Sequence, residues 1–476
     1  MAKHTDLLLL VNALMGQLIC GVATRIFIIA MPTIAAALDA DILAVSWALI
    51  AYQLAGICLS VVFGRLGDVH GRYLIYGAGF VVMTLSSFLC GAAPSVGWLI
   101  VFRLVQGVGA AMIASAARVL AMEAMPEGAE GRANGFMTMA FHGGLLLGPP
   151  LGGLVIDVLS WRWVFFLLVP IGVVGTALTA LRAWGRRVAP ATRPPTVDYV
   201  GAALLVVLTV VLTLLVDRRS AQALGTGSTS VMIAAFALGL AGFLVHERRA
   251  ANPVLNLDLF KIRMFAFSVL SLLLFAITSS VLTFLLPFYV QDVLRHSASF
   301  MGLVFLVAPV MTIGLAPLAG QLTDSIGPRI PASIGLVVIM AGFALGTLLQ
   351  VDSHWMLPAL LLAATGIGQG FFNTPNQTAI IGSVPREYRG VATGLVQMIF
   401  GVGSLLGISL GGALLTLMFR HYSGIPDATP SAEAPEPFVA AMRTTYAVCL
   451  VFAAVALLAS LLRGGRRIEA AAGERP

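Results

Sequence analysis

The chain has 476 residues, 59% of them hydrophobic and only 10% charged. Soluble proteins average about 25% charged residues, so this chain has too few to cover itself in water, and its solvent must be lipid. The formal charge of +7 would suit nucleic acid if it lay on one face, but the basic residues sit in short connections between apolar runs, which argues against that partner class and fits the positive-inside rule.

Fourteen apolar segments, each able to cross a core of about 30 Å as a helix, are expected at 8–36, 44–65, 73–92, 97–122, 133–157, 163–183, 198–216, 229–247, 264–289, 299–322, 329–350, 356–381, 389–417 and 440–462. The opening residues Met1 to Asp6 lead into a run too long for a signal peptide, so that run is expected to stay as the first span. Cys20, Cys58, Cys90 and Cys449 all fall inside apolar runs without metal-ligand spacing and read as small buried hydrophobes. With the N-terminus in the cytoplasm, 20 Lys and Arg, Arg118 among them, fall in cytoplasmic connections and tails, and 6 fall on the other side. That excess puts both ends inside. Arg25 and Arg103 remain within spans.

After span 2 comes the signature Gly64-Arg65-Leu66-Gly67-Asp68-Val69-His70-Gly71-Arg72. Gly64, Leu66, Asp68 and Gly71 recur after span 10 as Gly320, Leu322, Asp324 and Gly327, all at an offset of 256 residues, with Pro328-Arg329 following. A repeat between paired apolar runs indicates internal duplication, the mark of secondary transporters whose halves rock about a central site. The expected domains are a six-helix half at 1–183, a linker with two extra spans at 184–263, a second six-helix half at 264–462 and a cytoplasmic tail at 463–476. Glycines let helix ends approach, and an Asp and Arg nearby can make charge-assisted contacts present in one conformation only. A conformational gate and a plain tight turn are the two readings of this loop.

In span 4, Arg103 and Gln106 are i,i+3 neighbours on one face. A buried arginine costs roughly 2.5–3.5 kcal/mol even on the lenient insertion scale, so it should face a cavity or a partner. In span 5, Gly144, Gly148 and Gly152 fall four apart, which allows close helix packing, and Pro149 removes a backbone donor. The Arg- and Pro-rich stretch Arg182 to Pro195 reads as a cytoplasmic linker. Phe275, Phe284 and Phe288 in span 9 offer apolar contact, with packing the simpler reading. In span 12, Gln369, Asn373 and Gln377 line one face, with Asn376 beside them and Pro375 as a break; Gln397 adds an amide in span 13 and Gln53, beside Tyr52, one in span 2. Membrane amides want partners, which a substrate or another helix can supply. The stretch His421 to Pro437 reads as a flexible outer loop.

These motifs resemble the major facilitator superfamily over nearly the whole chain. The span number, Met31-Pro32-Thr33-Ile34-Ala35, Trp161-Arg162-Trp163-Val164-Phe165-Phe166 and Leu257-Asp258-Leu259-Phe260 are similar to its fourteen-span drug:proton antiporter branch of the EmrB/QacA type. The resemblance implies an all-α polytopic fold with two pseudo-symmetric six-helix halves plus two extra spans. It makes Gly64, Asp68, Gly71 and Arg72, with Gly320, Asp324, Gly327 and Arg329, the gate, though the basic residues usual at Val69 and Tyr73 are missing. Gly135, Gly144, Gly148, Pro149, Gly152 and Gly153 match its antiporter motif at every spacing, which implies export; a tight packing face without directional meaning is the alternative. Arg103 matches an arginine linked to proton coupling in the family.

Span 1 departs from that pattern. The family usually reads Leu-Asp-x-Thr before the span-1 proline; here the Asp position is Ala23 and the Thr position Arg25, and no Asp or Glu lies deep in any expected span. A carboxylate is the usual carrier of a coupled proton, because burial can raise its pKa toward neutrality. Arg25 and Arg103 would make the first half of the cavity electropositive and favour an anionic or zwitterionic small molecule; Arg25 reaching outward or toward a carbonyl is the alternative. A coupled proton would fall to His142, whose other reading is a packing residue. The expectation is a monomeric exporter in a bacterial inner membrane working by alternating access, with the lipid bilayer, a small-molecule substrate and, if coupled, protons as its partners. Nucleic acid and cofactors are not implied. The competing functions are a facilitator or amphiphile transporter not driven by protons, and a non-transporting membrane sensor or assembly partner. An enzyme is disfavoured: the chain has no His-Glu-x-x-His, no phosphate-cradling Gly-Lys-Ser/Thr and no intramembrane Asp pair.

Overall fold

A computed structural model describes residues 5–40, 42–184, 198–216, 218–250, 253–296, 298–425 and 434–464. Its helices in chain order are α1 (Leu7–Ala37), α2 (Ile42–His70), α3 (Arg72–Gly91), α4 (Val96–Ala124), α5 (Glu130–Val158), α6 (Trp163–Phe166), α7 (Leu168–Trp184), α8 (Tyr199–Val216), α9 (Arg218–Arg249), α10 (Arg263–Phe288), α11 (Ala298–Phe305), α12 (Val307–Ile326), α13 (Arg329–Gly346), α14 (Met356–Gly382), α15 (Arg389–Ser423) and α16 (Pro435–Leu462). Among the described residues there is no strand. In lipid every backbone donor and acceptor must be satisfied within the chain, which a helix does by itself.

Among the described residues thirteen segments are long and apolar enough to cross a membrane, and Tyr199–Leu215 is a shorter apolar helix. With 18 residues, α8 rises about 27 Å, close to the hydrocarbon thickness. The fourteen expected crossings are therefore present, with altered edges. The span expected at 163–183 is built from α6 and α7, and that at 299–322 from α11 and α12. The outer loop is shorter than expected, because His421 to Ser423 close α15 and Pro435 to Pro437 open α16; its middle, 426–433, lies outside the described residues. So do 185–197 of the expected linker and 465–476 of the tail. The four cysteines are buried and free, as read.

The same pairings occur twice. α1 packs on α5 and α10 on α15; α2 on α4 and α12 on α14; α3 on α4 and α7, and α13 on α14 and α16. Two apolar cores result, one around Phe27, Phe80 and Phe165, the other around Phe265, Phe343 and Phe372. Ala202, Leu205, Leu208 and Phe243 of α8 and α9 join the second core, and α8 rests on both α2 and α15. The halves meet crosswise, α2 against α15 and α5 against α12. The turns after α2 and α12 need a left-handed backbone, φ +106° at Gly71 and +83° at Gly327, which explains the glycine in both copies of the signature.

Candidate functional site

The repeated loop and its crosswise partners form the densest polar site. The Asp68 carboxylate accepts hydrogen bonds from the backbone N–H of Gly390 and Val391, both at 3.0 Å, at the start of α15. Asp324 does the same at the start of α5, accepting from Gly131 at 2.6 Å and Arg132 at 3.0 Å. Each Asp thus caps a helix N-terminus of the opposite half, where unsatisfied N–H groups and the helix dipole favour a negative charge. The charge-assisted bonds are worth about 1.5–3 kcal/mol each. Glycines allow the approach: a Cβ on Gly64 would strike the Gly390 carbonyl, and one on Gly320 the Gly131 carbonyl.

The two copies are unequal. Arg72 donates to Asp68 at 2.8 Å, to Glu123 at 2.7 Å and to the Arg386 carbonyl at 2.5 Å, tying three elements. Arg329 is exposed and has no such partner among the described residues, so Arg132, at 3.4 Å, is the cation beside Asp324. Arg132, Gln321, Asp324 and Ser325 line an open recess there. Above the two caps the halves are joined by Ser60 donating to the Gly394 carbonyl at 2.9 Å, Asn134 to Thr378 at 3.1 Å and Thr374 to Thr138 at 3.3 Å. Further along α2, Gly56 faces open space and Gln53 is exposed.

The partners of the two Asp residues escaped the sequence reading, yet a signal for them existed. Gly131, Ala133 and Gly135 recur as Gly390, Ala392 and Gly394 at an offset of 259 residues. The second repeat marks the two helix starts that receive the two carboxylates.

The expected span-4 pair is enclosed. Arg103 has 0% exposure, donates to Gln106 Oε1 at 2.6 Å, and approaches the carbonyls of Ala48 at 3.4 Å and Ala23 at 3.5 Å. Phe27 and Tyr52 place their rings 4.5 and 4.3 Å from its guanidinium, and Gln106 donates onward to Ser87 at 2.7 Å. Arg103 is therefore tied to α1 and α2 and does not open to a cavity in this conformation. Arg25 behaves differently: it is exposed, no hydrogen bond or ion pair holds it among the described residues, and its Cβ would lie 3.2 Å from a Cβ placed on Gly148. His142 is half-buried, edge-on to Phe141. Arg118, counted with the cytoplasmic connections although it falls within the span expected at 97–122, is buried inside α4.

The span-12 amides split. Asn376 donates to the Ser268 carbonyl at 3.0 Å and accepts from Arg463 at 2.8 Å, so it joins α10, α14 and the end of α16. Arg463 also reaches the Pro328 carbonyl at 2.5 Å; burial, and after it the charge of Arg329, pushes its guanidinium down to about 9, still a cation at neutral pH. Gln369 donates to Ser279 at 3.0 Å. Asn373 Oδ1 and Gln377 Oε1 are buried without a partner, and Gln397 is half-buried. Phe275 packs on Phe372 at 4.7 Å in the second core, whereas Phe284 pairs with the exposed Phe288.

Comparison with known proteins agrees with this architecture. The uncharacterized transporter YebQ of Escherichia coli is 31% identical over 399 residues, 83% of this chain and 85% of that protein. The multidrug resistance protein Stp of Mycobacterium tuberculosis is 30% identical over 419 residues, 87% of this chain and 76% of its own. The crystal structure of the human organic anion transporter MFSD10 (TETRAN) has the same fold, with a TM-score of 0.66 at 13% identity, over 97% of this chain and 100% of that one. The Major Facilitator Superfamily profile matches residues 13–245 and 268–475, and the chain belongs to that superfamily.

Proposed function

We propose that this protein, a secondary transporter by family, exports small anionic or zwitterionic amphiphiles from a bacterial cytoplasm by alternating access. One observation carries the cargo class: Arg25 stands exposed and unpaired on α1, against the glycine face of α5, in a chain whose spans hold no deep acid to neutralise it. An anion then gains what the protein does not supply. The drug-resistance name of the relative Stp supports the export direction.

The charge excess supports an inner-membrane orientation with both termini, and both Asp caps, on the cytoplasmic side. With those caps formed and Gly56 and Gln53 open, the conformation reads as closed inward and open outward. The rocking units are residues 1–183 and 264–462 of a monomer, with the pair of extra helices riding on α2 and α15.

Proteoliposomes test this with 2-naphthalenesulfonate, a permanent anion, and tetraphenylphosphonium, a permanent cation. Sulfonate flux is expected, falling about tenfold in Arg25→Ala, the equivalent of one charge contact of about 1.4 kcal/mol. Cation flux undiminished in Arg25→Ala, with no sulfonate flux, would sink the cargo class. A second reading, transport not driven by protons, is favoured by Ala23, whose carbonyl faces Arg103 where the family has its acid. Sulfonate flux unaffected by an imposed pH gradient supports it; flux that follows the gradient, and loses that dependence in His142→Gln, removes it.

A further inference from the structure

Arg118 is a buried cation that neither the Asp caps nor the helix packing uses. It has 4% exposure, and among the described residues its Nε and Nη1 have no hydrogen-bond partner. Other buried arginines have contacts of their own: Arg103 has Gln106 and two aromatic rings, Arg463 has Asn376 and the Pro328 carbonyl, and Arg65, at 8% exposure, lies over the Tyr388 ring. A guanidinium stays charged at any physiological pH, and a buried charge without a partner is among the costliest things a fold can hold. Among the described residues no ion pair joins Arg118 to an acid of the first half, and Asp6, whose backbone meets the end of α4 at Ala124, accepts from the Leu9 N–H at 3.2 Å. Asp39, Glu130 and Asp157 lie at helix ends, and Asp68 and Glu123 are engaged by Arg72.

Two further groups continue the positive field. His142 lies on α5 and Arg25 on α1. At about 1.5 Å per residue along their own helices, Arg118 stands about 9 Å, His142 about 18 Å and Arg25 about 27 Å from the end that carries the Asp caps. The three positive groups therefore stand at graded depths on three helices rather than at one level.

We propose that Arg118 is an inner seat for a monoanionic group, a carboxylate or sulfonate of the cargo, on a path that continues past His142 to Arg25. The inference rests on the anionic cargo reading and adds a residue and a direction to it. The anion comes from solution because the chain supplies none. Arg118 is suited to the seat by its planar fork, which can hold a carboxylate or sulfonate through two parallel hydrogen bonds. A buried guanidinium without a counter-charge from the chain raises the energy of the closed arrangement. An anion taken up at Arg118 before closure lowers that cost and moves outward as the caps form.

Thermal unfolding and counterflow of the purified full-length protein test this, with 2-naphthalenesulfonate as probe and the neutral 2-naphthalenesulfonamide as control. The sulfonate should stabilise the parent protein and the sulfonamide should not. Arg118→Gln should unfold at a higher temperature than the parent without ligand, because an unpaired charge is gone, and should need at least about ten times more sulfonate for half-saturation. Arg118→Lys should keep the preference for the anion. An unchanged sulfonate dependence in Arg118→Gln overturns the seat, as does equal action of sulfonate and sulfonamide on the parent. If Arg25→Ala loses sulfonate flux while Arg118→Gln keeps it, the seat falls and the anionic cargo stands. If neither variant changes it, both fall.

Discussion

The pair α1–α5 and the pair α10–α15 are built on one plan and differ where chemistry is expected. Gly144, Gly148 and Gly152 of α5 recur in α15 as Gly403, Gly407 and Gly411, each 259 residues on, and Gly135 and Gly153 recur as Gly394 and Gly412. The first three pack on Leu18, Val22 and Ile26 of α1; their counterparts pack on Leu273, Ala276, Ile277 and Val281 of α10. The glycine part of the antiporter motif is therefore an architectural device present in both halves. Three features belong to the α1–α5 pair alone: Pro149 stands where α15 has Ile408, His142 where it has Gly401, and Arg25 of α1 is set against the ladder. The difference teaches that close packing is shared, whereas the features that could give direction and charge sit in one half.

The largest expected effect tests the shared part. A side chain at Gly144 would strike the Leu18 carbonyl, and one at Gly407 the Ile277 carbonyl; both obstacles are backbone and cannot rotate away. Gly144→Leu and Gly407→Leu should each cost about 3 kcal/mol, near the upper end for overpacking, and should lower the unfolding temperature equally. If only Gly144→Leu does so, the ladder in α15 is not equivalent, and the comparison breaks.

How much of this was readable beforehand follows from the same residues. The loop repeat was legible because glycines and an Asp stand out in short polar connections. The 259-residue repeat was equally present, but glycine is common in membrane helices, and Pro149 against Ile408 interrupts the match. That Asp68 and Asp324 reach across to the other half is a tertiary fact that spacing along one chain does not carry. Arg118 lies within the span expected at 97–122, and what spacing could not tell is that this end of α4 is buried on most sides and takes the arginine in with it. Arg103 and Asn376 read from sequence as residues in need of partners, but sequence could not choose between substrate and helix, and here their partners are helices.

The next effect contrasts the two caps. Asp68 holds two backbone donors and Arg72, which also engages Glu123 and the Arg386 carbonyl; Asp324 holds two backbone donors with Arg132 farther away. Asp68→Ala should weaken the closed arrangement more than Asp324→Ala does, because Arg72 adds to the two backbone bonds a further charge-assisted bond of about 1.5–3 kcal/mol. Labelling of a cysteine placed at Ser60, on the seam behind the Asp68 cap, measures this: it should rise more in Asp68→Ala than in Asp324→Ala. Equal labelling would mean that Arg72 adds nothing and that the caps are symmetric in energy as well as in position.

The smallest effect on stability tests the unshared part. Pro149 lies inside α5 and leaves one backbone carbonyl of the preceding turn without its donor. Pro149→Ala restores that donor, and Pro150 beside it keeps the local break, so the unfolding temperature should shift by the equivalent of less than about 1 kcal/mol. Export should respond more strongly. A straighter α5 would hold Gly148 and Gly152 against Ile26 through a larger part of the cycle, and 2-naphthalenesulfonate counterflow should fall several-fold while its half-saturation stays near that of the parent. The reverse exchange, Ile408→Pro, puts the break into a helix built without one and should cost about 3 kcal/mol. If Pro149→Ala leaves flux unchanged, the proline adds nothing to what the glycines already supply, and α5 and α15 are equivalent hinges whose only functional difference is the charge that Arg25 and His142 bring to one of them.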